Sequence, residues 1–453
     1  MGSTINANRR LRPHARSFLD SIREFLTPSI WRQADQARRR SRAASRWTTQ
    51  PLVLTLLVMT WCCGDSQAER FETARGFTTV CLAKRRRPGR TVQGFQKALA
   101  PLPLAVLRAV AAGVRRRLMQ LLDLTSDGWV VLGADGSAVA CPRVAELEQR
   151  LDPPIKRQGP PQVWVTAVVH LRTGLLWAWR LGGGLNRERS HLQALLPTLP
   201  PAALIVADAG YNGYALAQAI VAAGAAFLIR MSSKDRLYTA QPPKTAHVRK
   251  FANDEVWLWP QQVRKNRLPP LRVRLMRLRD KQRGTEVWLL TNVLDTERLS
   301  IPQASRYYRW RWENEGLFRT YKRTLAKVKL LSRTVRLVHR EAEGALLATQ
   351  LLVAQGVRSA LARRCGKALP RCSPRQVLLT IRDVIAGRIG IRQRRRFRQR
   401  LIQARREQRR RSSPKVKRVW PRRVSYKPLR PPRILTMAQE EIALAAQLLQ
   451  QIE

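Results

Sequence analysis

The stretch from Ala203 to Met231, ALIVADAGYNGYALAQAIVAAGAAFLIRM, constrains the fold of this chain more than any other. A short, continuous apolar run ends at Asp208, a helix-length segment follows, and a second apolar run, FLIRM, closes the unit. Strand, crossover helix and strand in that order predict an α/β core, because the crossover returns the chain to the sheet. Such a unit places Asp208 at the carboxyl edge of its strand, where α/β sheets present functional groups. A second apolar run, WVVLGADG from Trp129, ends in the same way at Asp135 and Gly136. Strand-then-Asp-Gly is also a common hairpin signal, and Asp127 in the neighbouring SDGW turn competes with Asp135 for the same role. Asp208 has its own alternative, a turn-forming Asp.

A third carboxylate stands in YRWRWENEGLFRTYK, from Tyr308 to Lys322. On an ideal helix, at about 100° per residue, Arg311, Glu315 and Lys322 fall at roughly −60°, −20° and −40° from Tyr308, so all four share one face. A carboxylate packed beside two cations is costly unless a divalent cation takes the acid and phosphate takes the bases. A structural ion-pair face on an amphipathic helix is the competing reading.

The spacing Tyr308, two residues, Arg311, three residues, Glu315, six residues, Lys322 resembles the signature of the bacterial insertion-sequence DDE transposases of the IS-four group. The resemblance covers roughly residue 125 to residue 340. In it Glu315 matches the third acidic residue, and Asp135 in ADGS and Asp208 in ADAGY match the first and second. It implies an RNase H-like α/β catalytic core, interrupted between the second Asp and the Glu by a β-rich insertion. It also implies that Asp135, Asp208 and Glu315 hold two Mg²⁺ (or Mn²⁺) ions for DNA strand cleavage and 3′-hydroxyl strand transfer. Tyr308, Arg311 and Lys322 would contact phosphate, and Trp288 matches in place an aromatic used near the bent DNA end. The implied partners are double-stranded DNA, as terminal inverted repeats and as target, and a second copy of the chain in a homodimer on DNA. An RNase H-like nuclease or resolvase that cuts without joining is the alternative, as is a catalytically silent DNA-binding descendant.

Charge points to the same class of partner. Lys and Arg total 85 against 30 Asp and Glu, a formal charge of +55, which calls for a polyanion. The expected divisions are a helical, basic region at 1–125 for DNA ends or as a simple helical scaffold, core segments at 126–231 and 294–365, the insertion at 232–293, and a basic C-terminal region at 366–453. In the insertion, LRVRLMRLR alternates so that one side buries apolar residues while Arg272, Arg274, Arg277 and Arg279 line the other. The helix REAEGALLATQLLVAQGVRSALARR is expected to pack the Glu315 helix onto the sheet. From Arg392 to about Arg433 the chain is too basic and Pro-rich to bury much area, which predicts a disordered, non-specific DNA contact.

The apolar run from Pro51 to Cys63 is shorter than the roughly 20 residues of a membrane span and is read as a buried helix, so no membrane partner is expected. Six scattered Cys without CxxC pairs suggest reduced thiols in a cytoplasm, and the transposase resemblance implies association with a bacterial nucleoid. His170 and His191 are read as structural, and Glu188 as a supporting carboxylate near the centre rather than a ligand.

Overall fold

The computed structural model describes residues 17–38, 46–82, 87–151, 159–182, 188–240, 254–280, 285–361, 372–404 and 431–451. Ten strands form one mixed sheet: β1 (Val130–Ala140), β2 (Gln162–His170), β3 (Leu175–Gly182), β4 (Ala203–Ala207), β5 (Ala226–Arg230), β6 (Arg236–Thr239), β7 (Glu255–Leu258), β8 (Leu271–Asp280), β9 (Thr285–Thr291) and β10 (Arg433–Thr436). Their order is β10-β6-β7-β8-β9-β5-β4-β1-β2-β3. β1, β2 and β3 form an antiparallel meander, and β4 and β5 add to β1 in parallel. This arrangement is consistent with an RNase H-like core. The Tyr214–Ala222 helix makes the crossover between β4 and β5.

The insertion extends the sheet instead of interrupting it. β9 pairs antiparallel with β5, and β8, β7 and β6 follow outward. Backbone groups on the β5 edge are thereby satisfied, which a buried strand edge requires. The expected row of four presented arginines does not form. Arg274 is 3% exposed and donates to the carbonyls of Leu294 and Leu299. Arg277 pairs with Glu286, which Arg279 also approaches, while Arg272 pairs with Glu255. The register places each acid opposite or diagonal to its arginine across the ladder, so these charges hold strands together.

Strand alternation sorts the two faces. Leu132, Ala134, Ala203 and Ile205 face a helical layer, whereas Trp129, Val131, Leu204 and Val206 face a smaller cluster with Tyr307 and Tyr308 of the Ile301–Trp310 helix. In the helical layer, Val335–Leu361 crosses β3, with Gln350 donating to the carbonyls of Leu176 and Ala111. The apolar helix Thr49–Trp61 packs on it and is buried on nearly every side, as the continuous apolar run predicts. N-terminal residues such as Ile30, Leu107 and Val110 belong to the same core as Leu346, so the basic N-terminal helices are built into the sheet's cover. Among the described residues, no single helix is long and apolar enough to cross a membrane.

The described parts of the C-terminal region are residues 372–404 and 431–451. The Arg394–Gln403 helix buries Phe397 and Leu401, and Phe397 meets Phe18 edge-on. β10 pairs in parallel with β6, and the Gln439–Gln450 helix seats Ala445 and Leu448 near Trp259 and Tyr238. The Arg-rich segment expected to contact DNA non-specifically falls largely on 405–430, outside the described residues, as do Arg39, Arg40 and Lys84 to Arg86 of the N-terminal basic clusters and Cys365.

Candidate active site

β1 and β4 carry the first two acids to one place. Their parallel register runs from Val130↔Ala203 to Gly133↔Val206, and two more residues bring Asp135 level with Asp208. Adjacent strands lie about 4.8 Å apart, so the backbones at these positions are neighbours. Alternation also puts both side chains on the face shared by Val131, Leu204 and Val206. Beyond β4 the chain turns at once: Asp208 accepts from the Gly210 amide at 2.9 Å and caps the short Ala209–Tyr211 turn. Asp135 accepts from the Gly136 amide at 2.9 Å. Asp127 lies elsewhere, at the other end of β1, paired with Arg306 and the Tyr307 hydroxyl.

The third acid arrives on the segment that follows the Ile301–Trp310 helix. That helix is opened by a capping box between Ser300 and Gln303 and is interrupted after Trp310. A second helix, Glu313–Arg319, then passes into a π-helical turn, Thr320–Thr324. The segment tracks one face of β1. Asn314 is fully buried and donates to the Ala134 carbonyl at 3.4 Å, in space that the missing side chain of Gly133 leaves open. Lys322 donates to Ser137 Oγ at 2.8 Å. Between these two anchors Glu315 faces a cleft of about 1140 Å³ that Asp135, Ser137 and Lys322 also line. Across the cleft stand Arg375 and Leu379 of the Pro374–Ile385 helix.

The interruption changes the single-face arrangement expected of an unbroken helix. Tyr308 is 9% exposed, in the core, and its hydroxyl is buried without a partner. Glu315 is exposed. Arg311 stacks over Tyr308 and Trp312, 5.4 and 5.0 Å from their ring centroids. A helix that breaks at residues 311–312 and widens at 320 rotates its face, so Tyr308 serves as a platform for Arg311 and does not reach the cleft. Trp288 is likewise displaced from its expected place at bent DNA. It is 2% exposed in the sheet core, with Arg277 over its ring. The exposed aromatic at the site is Trp312, at 60%, immediately beside Arg311. Its signal in the sequence was position alone, three residues before Glu315.

Glu188, at the start of the Glu188–Leu195 helix, lies at the acidic centre. Burial, then the charges of Asp135 and Asp208, push its pKa up to about 7. Burial pushes Asp135 up to about 6, with Asp208 and Glu315 adding to the effect while the Gly136 amide and Arg311 oppose it. Such crowding of like charge on oxygen donors fits a hard divalent cation, which would relieve both the repulsion and the desolvation. Among the described residues no three acids stand at metal-ligand spacing. The histidines are structural: His170 lies between Thr173 and the Leu124 carbonyl, its pKa lowered by burial to about 4, and His191 bonds Thr166.

A stability consequence follows from the raised acids. Their folded pKa values exceed the unfolded ones, so the folded state binds protons that the unfolded state releases. The resulting stabilisation is full below about pH 4 and is lost as pH rises through 6 and 7. Metal-free protein is expected to lose more melting temperature between pH 5 and pH 8 than its Asp135→Asn variant does, and Mg²⁺ is expected to restore the wild type at pH 8. Parallel melting curves for the two proteins across that range would refute this origin.

Residues 148–351 match the family model described as the transposase DDE domain. The match spans a little under half of the chain, takes in Asp208, Tyr308, Arg311, Glu315 and Lys322, and begins after Asp135. It supports a DDE transposase. No curated protein matches the sequence. Among solved structures, a cryo-EM structure of the piggyBac transposase synaptic complex with hairpin DNA is similar at 9% identity and a TM-score of 0.44, over 90% of this chain and 84% of that one.

Proposed function

We propose that the chain is a DNA transposase of the insertion-sequence type, resembling the IS-four group, which cleaves DNA strands and joins a 3′-hydroxyl by metal-dependent phosphoryl transfer. The observation that carries this reading is the placement of Asp135 and Asp208 at level positions on neighbouring parallel strands, with the Glu315 segment fastened alongside through Asn314 and Lys322. Asp135, Asp208 and Glu315 would hold two divalent ions, Mg²⁺ or Mn²⁺. When bound there, such ions supply an activated oxygen nucleophile and offset charge on the leaving oxygen.

The chain's own residues do the rest. Arg311 lies near enough to Asp135 for its charge to act on it, and Lys322 sets its ammonium on the cleft wall at Ser137, so a phosphate at the acidic edge would be drawn by two cations. Trp312 offers the base next to that phosphate an exposed ring, which base-stacking on an opened end uses. The proposed partners are double-stranded DNA, at element ends and target, and a second copy of the chain, with the protein acting at the nucleoid.

The test is incubation of the protein with Mg²⁺ or Mn²⁺, a duplex carrying the sequences that flank its gene, and a target plasmid. Cleavage at the ends, followed by covalent joining of the 3′-hydroxyl to the plasmid, is the expected result. Cleavage without joining would favour a nuclease or resolvase, and binding without cleavage a silent descendant.

A further inference from the structure

The face of the sheet opposite Glu315 also delivers a glutamate to the centre. Ala134 faces the helical layer, and by alternation Gly136 faces the same way. A Cβ on Gly136 would lie 2.3 Å from Glu188 Oε1 and 2.5 Å from Trp164 Nε1, so the glycine leaves the opening through which Glu188 reaches the strand. The Glu188–Leu195 helix is seated on that side by Leu192 and Leu195. It is tied to the Asp208 turn by Arg189, whose Nε donates to the Gly210 carbonyl at 2.9 Å. Glu188 therefore stands close enough to Asp135 and Asp208 for both charges to act on it.

Two polar groups beside Glu188 lack their own partners. Tyr211 is 1% exposed, and its hydroxyl is buried without a group at hydrogen-bond geometry, although it feels the charges of Glu188, Asp135 and Asp208. Trp164 Nε1 is buried and unpartnered as well. Both lie near enough to Glu188 to favour its carboxylate form without completing a bond to it. A carboxylate flanked by incomplete donors and two further acids is arranged for something between them.

We propose that Glu188 is a fourth carboxylate ligand of the divalent centre, joining Asp135 and Asp208 from the side of the sheet that Glu315 does not reach. This rests on the metal-dependent function proposed above. On this assignment the DNA-free protein takes up its first cation with Glu188 beside Asp135 and Asp208. Tyr211 and Trp164 are positioning residues that steady the Glu188 oxygens.

Mn²⁺ binding to the full-length, DNA-free protein, followed by electron paramagnetic resonance, tests this without any activity readout. Wild type should bind Mn²⁺, Asp135→Asn should abolish binding, and Glu188→Gln should weaken it by at least about tenfold with an unchanged circular dichroism spectrum. Gly136→Ala should weaken it similarly by displacing Glu188. Unchanged affinity in Glu188→Gln, with binding still lost in Asp135→Asn, would overturn the fourth ligand and leave the proposed function standing. No Mn²⁺ binding by wild type up to millimolar concentration would overturn both. Should Glu188→Gln fail to fold, iron-directed hydroxyl-radical cleavage of the wild-type chain decides: Fe²⁺ with ascorbate and peroxide should cut near residues 135, 188 and 208, and cuts confined to 135 and 208 would refute the assignment.

Discussion

Replacing Glu315 by Gln is expected to abolish DNA cleavage while leaving duplex affinity within about twofold of wild type. The substitution removes one carboxylate oxygen charge from the cleft and no cation from its walls, so phosphate contacts persist. The lost stabilisation of charge on the reacting phosphate, on the order of 4 kcal/mol, corresponds to about 10³-fold or more in rate. Because Glu315 is exposed and its neighbours Asn314 and Leu317 supply the buried contacts, the melting temperature should hardly move. Single-turnover cleavage and equilibrium binding on the same duplex check both halves. Equal losses in the two measurements would remove Glu315 from the chemistry.

The second large effect is expected at a residue that touches no substrate. Asn314→Ala removes the side-chain bond to the Ala134 carbonyl and leaves a cavity against Gly133 and Leu171, at the point where the Glu315 segment rests on β1. A buried polar side chain replaced in this way costs on the order of 1–3 kcal/mol of stability. The effect on cleavage should be larger, about 10²-fold, because a displacement of about 1 Å between Glu315 and Asp135 is enough to misalign the reacting groups. Asn314→Ala is thus predicted to lower both melting temperature and rate, whereas Glu315→Gln lowers the rate alone. A variant that loses stability but cleaves at full rate would show that the segment is positioned by Lys322 and Ser137 without Asn314.

Much of the frame was readable from local pattern. Apolar runs ending at Asp135 and Asp208 become β1 and β4, because a continuous apolar stretch of that length buries both faces of a strand. The unbroken apolar run from Pro51 specifies a helix with no solvent face. Spacing picked out Glu315, and the apolar runs they end picked out Asp135 and Asp208; in the fold the charges of Asp208 and Glu315 both act on Asp135. Departures begin where the outcome depends on what a side chain meets across the fold. An ideal period places Tyr308 with Glu315, but the breaks at residues 311–312 and 320–324 follow from docking Asn314 and Lys322 onto β1, contacts about 180 residues apart in sequence. Arg274 and Arg277 read by alternation as presented on the open side of their strand, yet the insertion continues the main sheet, and its neighbours supply the carbonyls and the carboxylate that bury them. Trp288 and Trp312 are the same residue type close to the same motif, and only packing separates the buried ring from the exposed one. Glu188 carries no spacing signal, because it approaches β1 at Gly136 from a helix on the opposite face of the sheet. Periodicity, then, determined which segments become strands and helices and which acids end them, since burial of a face is a property of the segment itself. The company each polar group keeps was decided by the tertiary structure, because charge and hydrogen bonding act between residues that only the fold brings together.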